Sequence, residues 1–323
     1  MSIITDRKQS RKIFDRAAEN NVGIAIFGTA SHWNTEATLI AAETFAQRYG
    51  IDQIPVVVSN TFTYEHMPQA QRMLYCGNPK TALLSHMSHL NALCGSKYAM
   101  YPHVAVLPHL DHADPERDYW ALTAGSQYYS SVMFDAQRFP YEKNVEMTKE
   151  YVKAYGDDLL VEGIMEMLNV EGGLSDAASL HSENYCELAK DFIGKTNIDF
   201  LVADLGTEQQ ASSVGNSFYD QERAQMLTEQ LGKKMLVLHG TSCLTPEQMN
   251  TLPNDGVIRV NMWTRISREA GQYAAQKVME RMDQINKGSF DAADSRAYMR
   301  DCTDKAVEIM LEMMELFGYA RWR

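Results

Sequence analysis

Two histidines and an aspartate crowd the end of one apolar run, where Val104-Ala105-Val106-Leu107 leads into His109-Leu110-Asp111-His112. Such a run reads as a buried strand. Imidazole and carboxylate are poor core groups, but they are the side chains that bind divalent metals and move protons. Downstream, Val237-Leu238-His239-Gly240 sets another histidine at the end of another apolar run. Together the two segments predict metal-assisted lyase chemistry.

The elements that must position these residues alternate along the chain. Apolar or β-branched runs fall at 22–27, 55–59, 104–110, 131–135, 159–164, 200–205, 235–240 and 257–262. Helical patterns lie between most of them. Asn34 or Thr35 is expected to cap a helix through Arg48 that ends at Gly50. Others are expected from Pro79 to Leu93, from Asp114-Pro115-Glu116 onward, from Asn144 to Tyr155, and over 183–193 and 219–231. The tail from Ser289 to Phe317 reads as helical and Met-rich, a packing or subunit face.

Strands alternating with helices imply parallel βαβ units. About eight of them predict an α/β fold, a (β/α)₈ barrel with additional C-terminal helices. A doubly wound open sheet is the alternative. No GxGxxG follows the first strand, and Gly194-Lys195-Thr196 lacks the first glycine of a P-loop. The expected organisation is one barrel domain over 1–323, with 289–323 as a helical extension.

A barrel makes a demand on the sequence: functional residues should follow strand C-termini. The strand ends carry Ser59-Asn60, Asp111-His112, Asp135, Gly206-Thr207-Glu208-Gln209, His239-Gly240-Thr241-Ser242, and Asn261 followed by Thr264 and Arg265. Ser242 and Thr264 follow the last two strands, where a barrel usually binds phosphate. His86 and His89 share a helical face, read first as a packed or solvated pair.

Composition narrows the partners. A net charge of -12 argues against a nucleic-acid surface, which needs clustered Lys and Arg. Five scattered cysteines without a CxxC pair suggest reduced thiols and a cytoplasmic location. No apolar segment approaches the ~18 residues of a membrane span, and no signal core is expected at the N-terminus.

From Asp111, His112 and His239 outward, the chain resembles the class II, metal-dependent fructose-bisphosphate aldolase family. The resemblance continues through Ser131-Val132-Met133-Phe134-Asp135, Asn144-Val145-Glu146, Val161-Glu162-Gly163, Gly206-Thr207, His239-Gly240, Val260-Asn261 and Glu315-Leu316-Phe317-Gly318. It implies a divalent metal, zinc first with manganese or cobalt possible, held by His112 and His239. The family's third histidine is Gln209 here. Gln209 ligates directly, or Glu208 or His181 takes its place, or the site holds another metal or none.

The resemblance further implies proton transfer by Asp111, with Asp176 after Gly172-Gly173 as a candidate second acid. It places Ser242 and Thr264 at a phosphate and Asn261 at a ketose with Ser59 nearby, and Gly206 and Gly240 among the substrate-binding residues. The substrate is then a phosphorylated sugar, cleaved to dihydroxyacetone phosphate and an aldehyde by a homodimer or homotetramer. Departures cluster after the eighth strand, where Trp263 and Arg265 stand in place of two carboxylates. Arg265 is expected to read an anionic group, pointing to a ketose phosphate other than fructose 1,6-bisphosphate. Epimerisation or isomerisation at the same site, and a non-catalytic sugar-phosphate binder, are the alternatives.

Overall fold

The computed structural model describes residues 2–166, 168, 184–209 and 219–322. Eight parallel strands pair in chain order and close on themselves: β1 (Ile24–Gly28), β2 (Ile54–Thr61), β3 (Val104–Ala113), β4 (Ser131–Phe134), β5 (Leu160–Ile164), β6 (Phe200–Val202), β7 (Leu236–Leu238) and β8 (Val257–Met262). The ring closes where Ile24 to Phe27 pairs with Arg259 to Met262. All eight predicted runs are strands. Nearly every strand residue is buried, as expected when helices cover a parallel sheet on its outer face.

The barrel floor is closed by the N-terminal helix Arg7–Glu19. Phe14 from that helix packs edge-on against Phe200 at 4.9 Å. Arg7 and Arg11 both bind the Asp199 carboxylate, fastening the helix below β6. At the other end of the chain, helix Ser295–Leu316 packs against helices His32–Tyr49 and Thr264–Glu280. Its Met310, Met313 and Met314 are fully buried, whereas Met299 is 46% exposed. The methionine face is therefore a packing face along its C-terminal half only.

Two sequence expectations need correction. Ser31 caps the first predicted helix, three residues before Asn34, and Gly50 ends it at φ 63° as expected. After β3, Pro115–Asp118 forms turns, and only Tyr119–Leu122 is helical. The Asp114 carboxylate accepts from the Glu116 and Arg117 N–H groups, and Asp118 accepts from Asp114 N–H. Those local bonds offer the backbone an alternative to a helical turn.

Candidate active site

The site begins with an irregularity in β3. Neighbours on a regular strand point to opposite faces, so Asp111 and His112 should not both face the barrel mouth. Between Leu110 and Ala113 the pairing with β4 shifts, so that three steps on β3 match two on β4. The extra residue is a β-bulge, and it re-aims a side chain. His112 takes up the irregularity with φ 45°, a left-handed conformation uncommon outside glycine. Both side chains are thereby delivered to one cavity.

That cavity, of about 60 Å³, is lined by Asp111, His112, Gln209, His239, Asn261 and Tyr64, with Gly240, Ser242, Trp263 and Thr264 among the remaining wall residues. The ligating atoms of Asp111, His112 and His239 lie within 4.8 Å of one another, and all three residues are buried. The His112 and His239 rings meet edge to face at 4.8 Å.

Each ring is oriented from behind. His112 Nδ1 is 2.7 Å from Asp135 Oδ2, which turns Nε2 towards the cavity. A carboxylate behind an imidazole fixes its tautomer and raises its basicity as a ligand. Asn261 donates to Asp111 Oδ2 at 2.9 Å and lies 3.5 Å from His239 Nδ1. Two buried atoms, Asp111 Oδ1 and His239 Nε2, then have no hydrogen-bond partner. They are the atoms that a metal or a substrate group would satisfy.

Electrostatics keeps these groups in usable states. Burial opposes charge on Asp111, but His112, His239 and His109 outweigh it and hold the carboxyl below its ordinary value. Burial also opposes charge on His112, but Asp111 and Asp135 outweigh it and raise its pKa. Burial prevails at His239, whose pKa falls to about 4, so the ring is neutral at physiological pH.

Gln209 is brought to the cavity as expected, 8% exposed, with Nε2 3.5 Å from His112 Nε2. Glu208 is exposed and drops out as its substitute. His181 and the expected acid Asp176 lie outside the described residues. Gly240 adopts φ 68°, and a side chain there would meet the Glu208 backbone at 2.8 Å. Only glycine lets the turn after β7 come this close to the loop after β6.

Ser242 and Thr264 line the cavity beside the N-terminus of helix Thr264–Glu280. Ser59 and Gly206 are not on the cavity wall. Ser59 Oγ is buried in β2, and Gly206 N–H donates to Asp204 Oδ1 within its own loop. Arg265 is a correction. Its guanidinium binds Glu269 at 2.9 Å and Glu312 at 3.0 Å, away from the cavity, so it reads no ligand there.

Two residues that hold the His112 ring are not singled out by the sequence. Asp135 was visible only as one more polar strand end. Tyr64 carries no signal at all, because an aromatic a few residues beyond a polar strand end is commonplace. Its ring stacks on His112 at 4.1 Å and 4°, and its hydroxyl donates to Gln209 Oε1 at 3.0 Å. Tyr64 and His112 also border a second cavity of about 310 Å³, lined by Glu65, Asp114, Arg117, Asp118 and Arg138 among others. Both of its arginines are paired with carboxylates, Arg117 with Glu65 and Arg138 with Asp114 and Glu116.

Comparison with known proteins agrees with this geometry. Residues 8–321 match the family model described as fructose-bisphosphate aldolase class-II. A fructose-bisphosphate aldolase of Streptococcus pneumoniae is 27% identical over 314 residues, 96% of this chain and 97% of the relative. A 6-phospho-5-dehydro-2-deoxy-D-gluconate aldolase of Bacillus velezensis is 30% identical over 227 residues, 67% of this chain and 70% of that protein. In fold, the chain is similar to a crystal structure of fructose-bisphosphate aldolase from Campylobacter jejuni. That match has a TM-score of 0.75 at 18% identity and covers 98% of this chain and 96% of the other. The YdjI aldolase of Escherichia coli K12 superposes with a TM-score of 0.65 at 20% identity, over 98% and 97% of the two chains.

Proposed function

The chain belongs to the class II fructose-bisphosphate aldolase family, and from that membership we propose a divalent-metal aldolase that cleaves a ketose phosphate into dihydroxyacetone phosphate and an aldehyde. The observation that carries the proposal is the pair of unpartnered buried atoms, Asp111 Oδ1 and His239 Nε2, beside His112 Nε2. Buried polar atoms without partners are costly in a structural setting, and here they converge.

His112 and His239 would hold the metal with Gln209. Zinc is the first candidate, and the amide oxygen, harder than imidazole, leaves manganese and cobalt as rivals. When bound, the metal supplies Lewis-acid stabilisation of the negative charge that develops on the ketose oxygens. Asp111 Oδ1 takes the proton of the hydroxyl at the bond to be broken, a role suited to a carboxylate held ionised. Asn261 Nδ2 holds the opposite carboxylate oxygen and so aims Oδ1 at the cavity. Ser242 and Thr264 bind the phosphate with the N–H groups that open helix Thr264–Glu280. Asp176 remains the candidate for returning a proton to carbon.

The substrate is proposed to differ from fructose 1,6-bisphosphate. Arg265 is committed elsewhere, and the arginines of the adjoining cavity are already paired with carboxylates. The aldehyde half would occupy that second cavity. A cytoplasmic homodimer or homotetramer is the proposed form.

The test is a panel of ketose 1-phosphates and bisphosphates assayed with and without chelator, with product identification. Chelator-sensitive release of dihydroxyacetone phosphate is expected. Interconversion of ketoses without carbon–carbon cleavage would replace the aldolase reading with epimerisation or isomerisation. Sugar-phosphate binding without turnover, in protein that neither contains nor accepts metal, would favour a non-catalytic binder.

A further inference from the structure

We propose that Tyr64 is a positioning residue that makes Gln209 a competent metal ligand, an inference that rests on the metal reading above. Two contacts carry it. The phenol ring lies flat on His112 at 4.1 Å, and the phenol hydroxyl donates to Gln209 Oε1 at 3.0 Å. One side chain therefore touches two of the three groups assigned to the metal.

The amide orientation explains why a hydroxyl is needed. With Oε1 accepting from Tyr64, Gln209 presents Nε2 to His112 Nε2 at 3.5 Å. An amide nitrogen has no lone pair to give a metal, because that pair is delocalised into the carbonyl and leaves the NH₂ group a donor only. The carbonyl oxygen is the ligating atom, so the amide must turn over to present it. The same half-turn brings the NH₂ group to the Tyr64 oxygen.

A phenol both donates and accepts. It can therefore hold the amide in either orientation, donating to the carbonyl before metal entry and accepting from NH₂ afterwards. Phenylalanine can do neither. An imidazole at position 209 would ligate through a ring nitrogen, with no amide to turn over. Ligand-orienting partners of this kind are typically worth 10–100-fold in metal affinity.

The pairing joins a glutamine, where the family places histidine, to a tyrosine seated over His112. Tyr64 comes from the loop after β2 and Gln209 from the loop after β6, so no local sequence rule links them.

The experiment measures zinc and cobalt affinity by chelator competition in wild type, Tyr64→Phe, Gln209→His and the double variant. The visible spectrum of the cobalt forms and the melting temperature of the metal-free forms are recorded alongside. Tyr64→Phe is expected to weaken metal binding about 10–100-fold and change the cobalt spectrum, with the metal-free melting temperature lowered by at most about 2–4 °C through loss of the Tyr64–Gln209 hydrogen bond. In the Gln209→His background the same change is expected to have less than about a third of that effect on a logarithmic scale. Equal affinity of wild type and Tyr64→Phe overturns the Tyr64 role alone. An undiminished loss in the Gln209→His background overturns action through Gln209. Wild type that takes up neither metal overturns this inference together with the metal reading.

Discussion

The barrel buries two groups of ionisable side chains, and they are built on opposite principles. In the interior, below the mouth, Arg259 is fully buried between Phe14 and Phe200, its guanidinium 4.6 and 4.9 Å from the ring centroids. Its Nε is in ion-pair contact with Glu162, and His109 Nε2 lies 3.6 Å from the other Glu162 oxygen. Charge there meets opposite charge and aromatic faces. At the mouth, Asp111, His112 and His239 also converge, but Asp111 Oδ1 and His239 Nε2 stand 4.0 Å apart, and all three residues line a cavity. The interior group closes the barrel, and the mouth group is open for chemistry.

Mutation should separate them, beginning with the largest effect. Asp111→Asn is expected to cut kcat by about 10²–10⁴-fold while leaving thermal unfolding unchanged or raised. A large loss of stability with turnover preserved would place Asp111 with the interior group. Arg259→Met should do the reverse, costing about 3–5 kcal/mol in urea unfolding because Glu162 is left buried and unpaired. Adding Glu162→Gln should recover most of that loss. A single variant as stable as the wild type would mean the ion pair does not hold the interior.

Smaller effects sharpen the comparison. Asp135→Asn keeps a side chain behind His112 but removes its charge, and metal affinity should fall about 10–100-fold by chelator competition. No change would show that His112 needs no carboxylate behind it. Asp118 tests a buried carboxylate with no cation in direct contact, between a Thr63 hydroxyl and the Asp114 N–H. Burial raises its pKa from 3.8 to about 6. Its protonated form is the favoured one, so the stability it contributes is complete below pH 3.8 and lost as pH rises through 6. Asp118→Asn should therefore melt about 2–5 °C above wild type at pH 8 and show no such gain at about pH 3.5.

The smallest expected effect is at Arg265. Its pairs with Glu269 and Glu312 are partly exposed, of the kind worth about 0–1 kcal/mol. Arg265→Ala should leave KM for any phosphorylated ketose within about twofold. A tenfold rise in KM would return Arg265 to the site.

Much of the architecture is legible in the chain because its signals are local. Strand runs and polar strand ends need only nearest neighbours in sequence, and a closed parallel barrel brings all such ends to one mouth. That is why Asp111, His112, Gln209, His239, Asn261, Ser242 and Thr264 could be grouped before any coordinates. Asp114 and Asp118 show where local reading fails. Proline followed by acids is a helix opening by composition, yet side-chain bonds to the same backbone made turns.

The sequence by itself therefore determined the fold, the family and which polar strand ends meet at the mouth, all of which follow from pattern and residue type. Only tertiary structure decided three other matters. The bulge in β3 let adjacent Asp111 and His112 share a face, against the period of a strand. Glu269 and Glu312 drew Arg265 away from the cavity, and Glu312 stands 47 positions along the chain from it. Tyr64 met Gln209 across 145 positions. Pairings over such separations depend on how the barrel closes, and no spacing in the sequence encodes them.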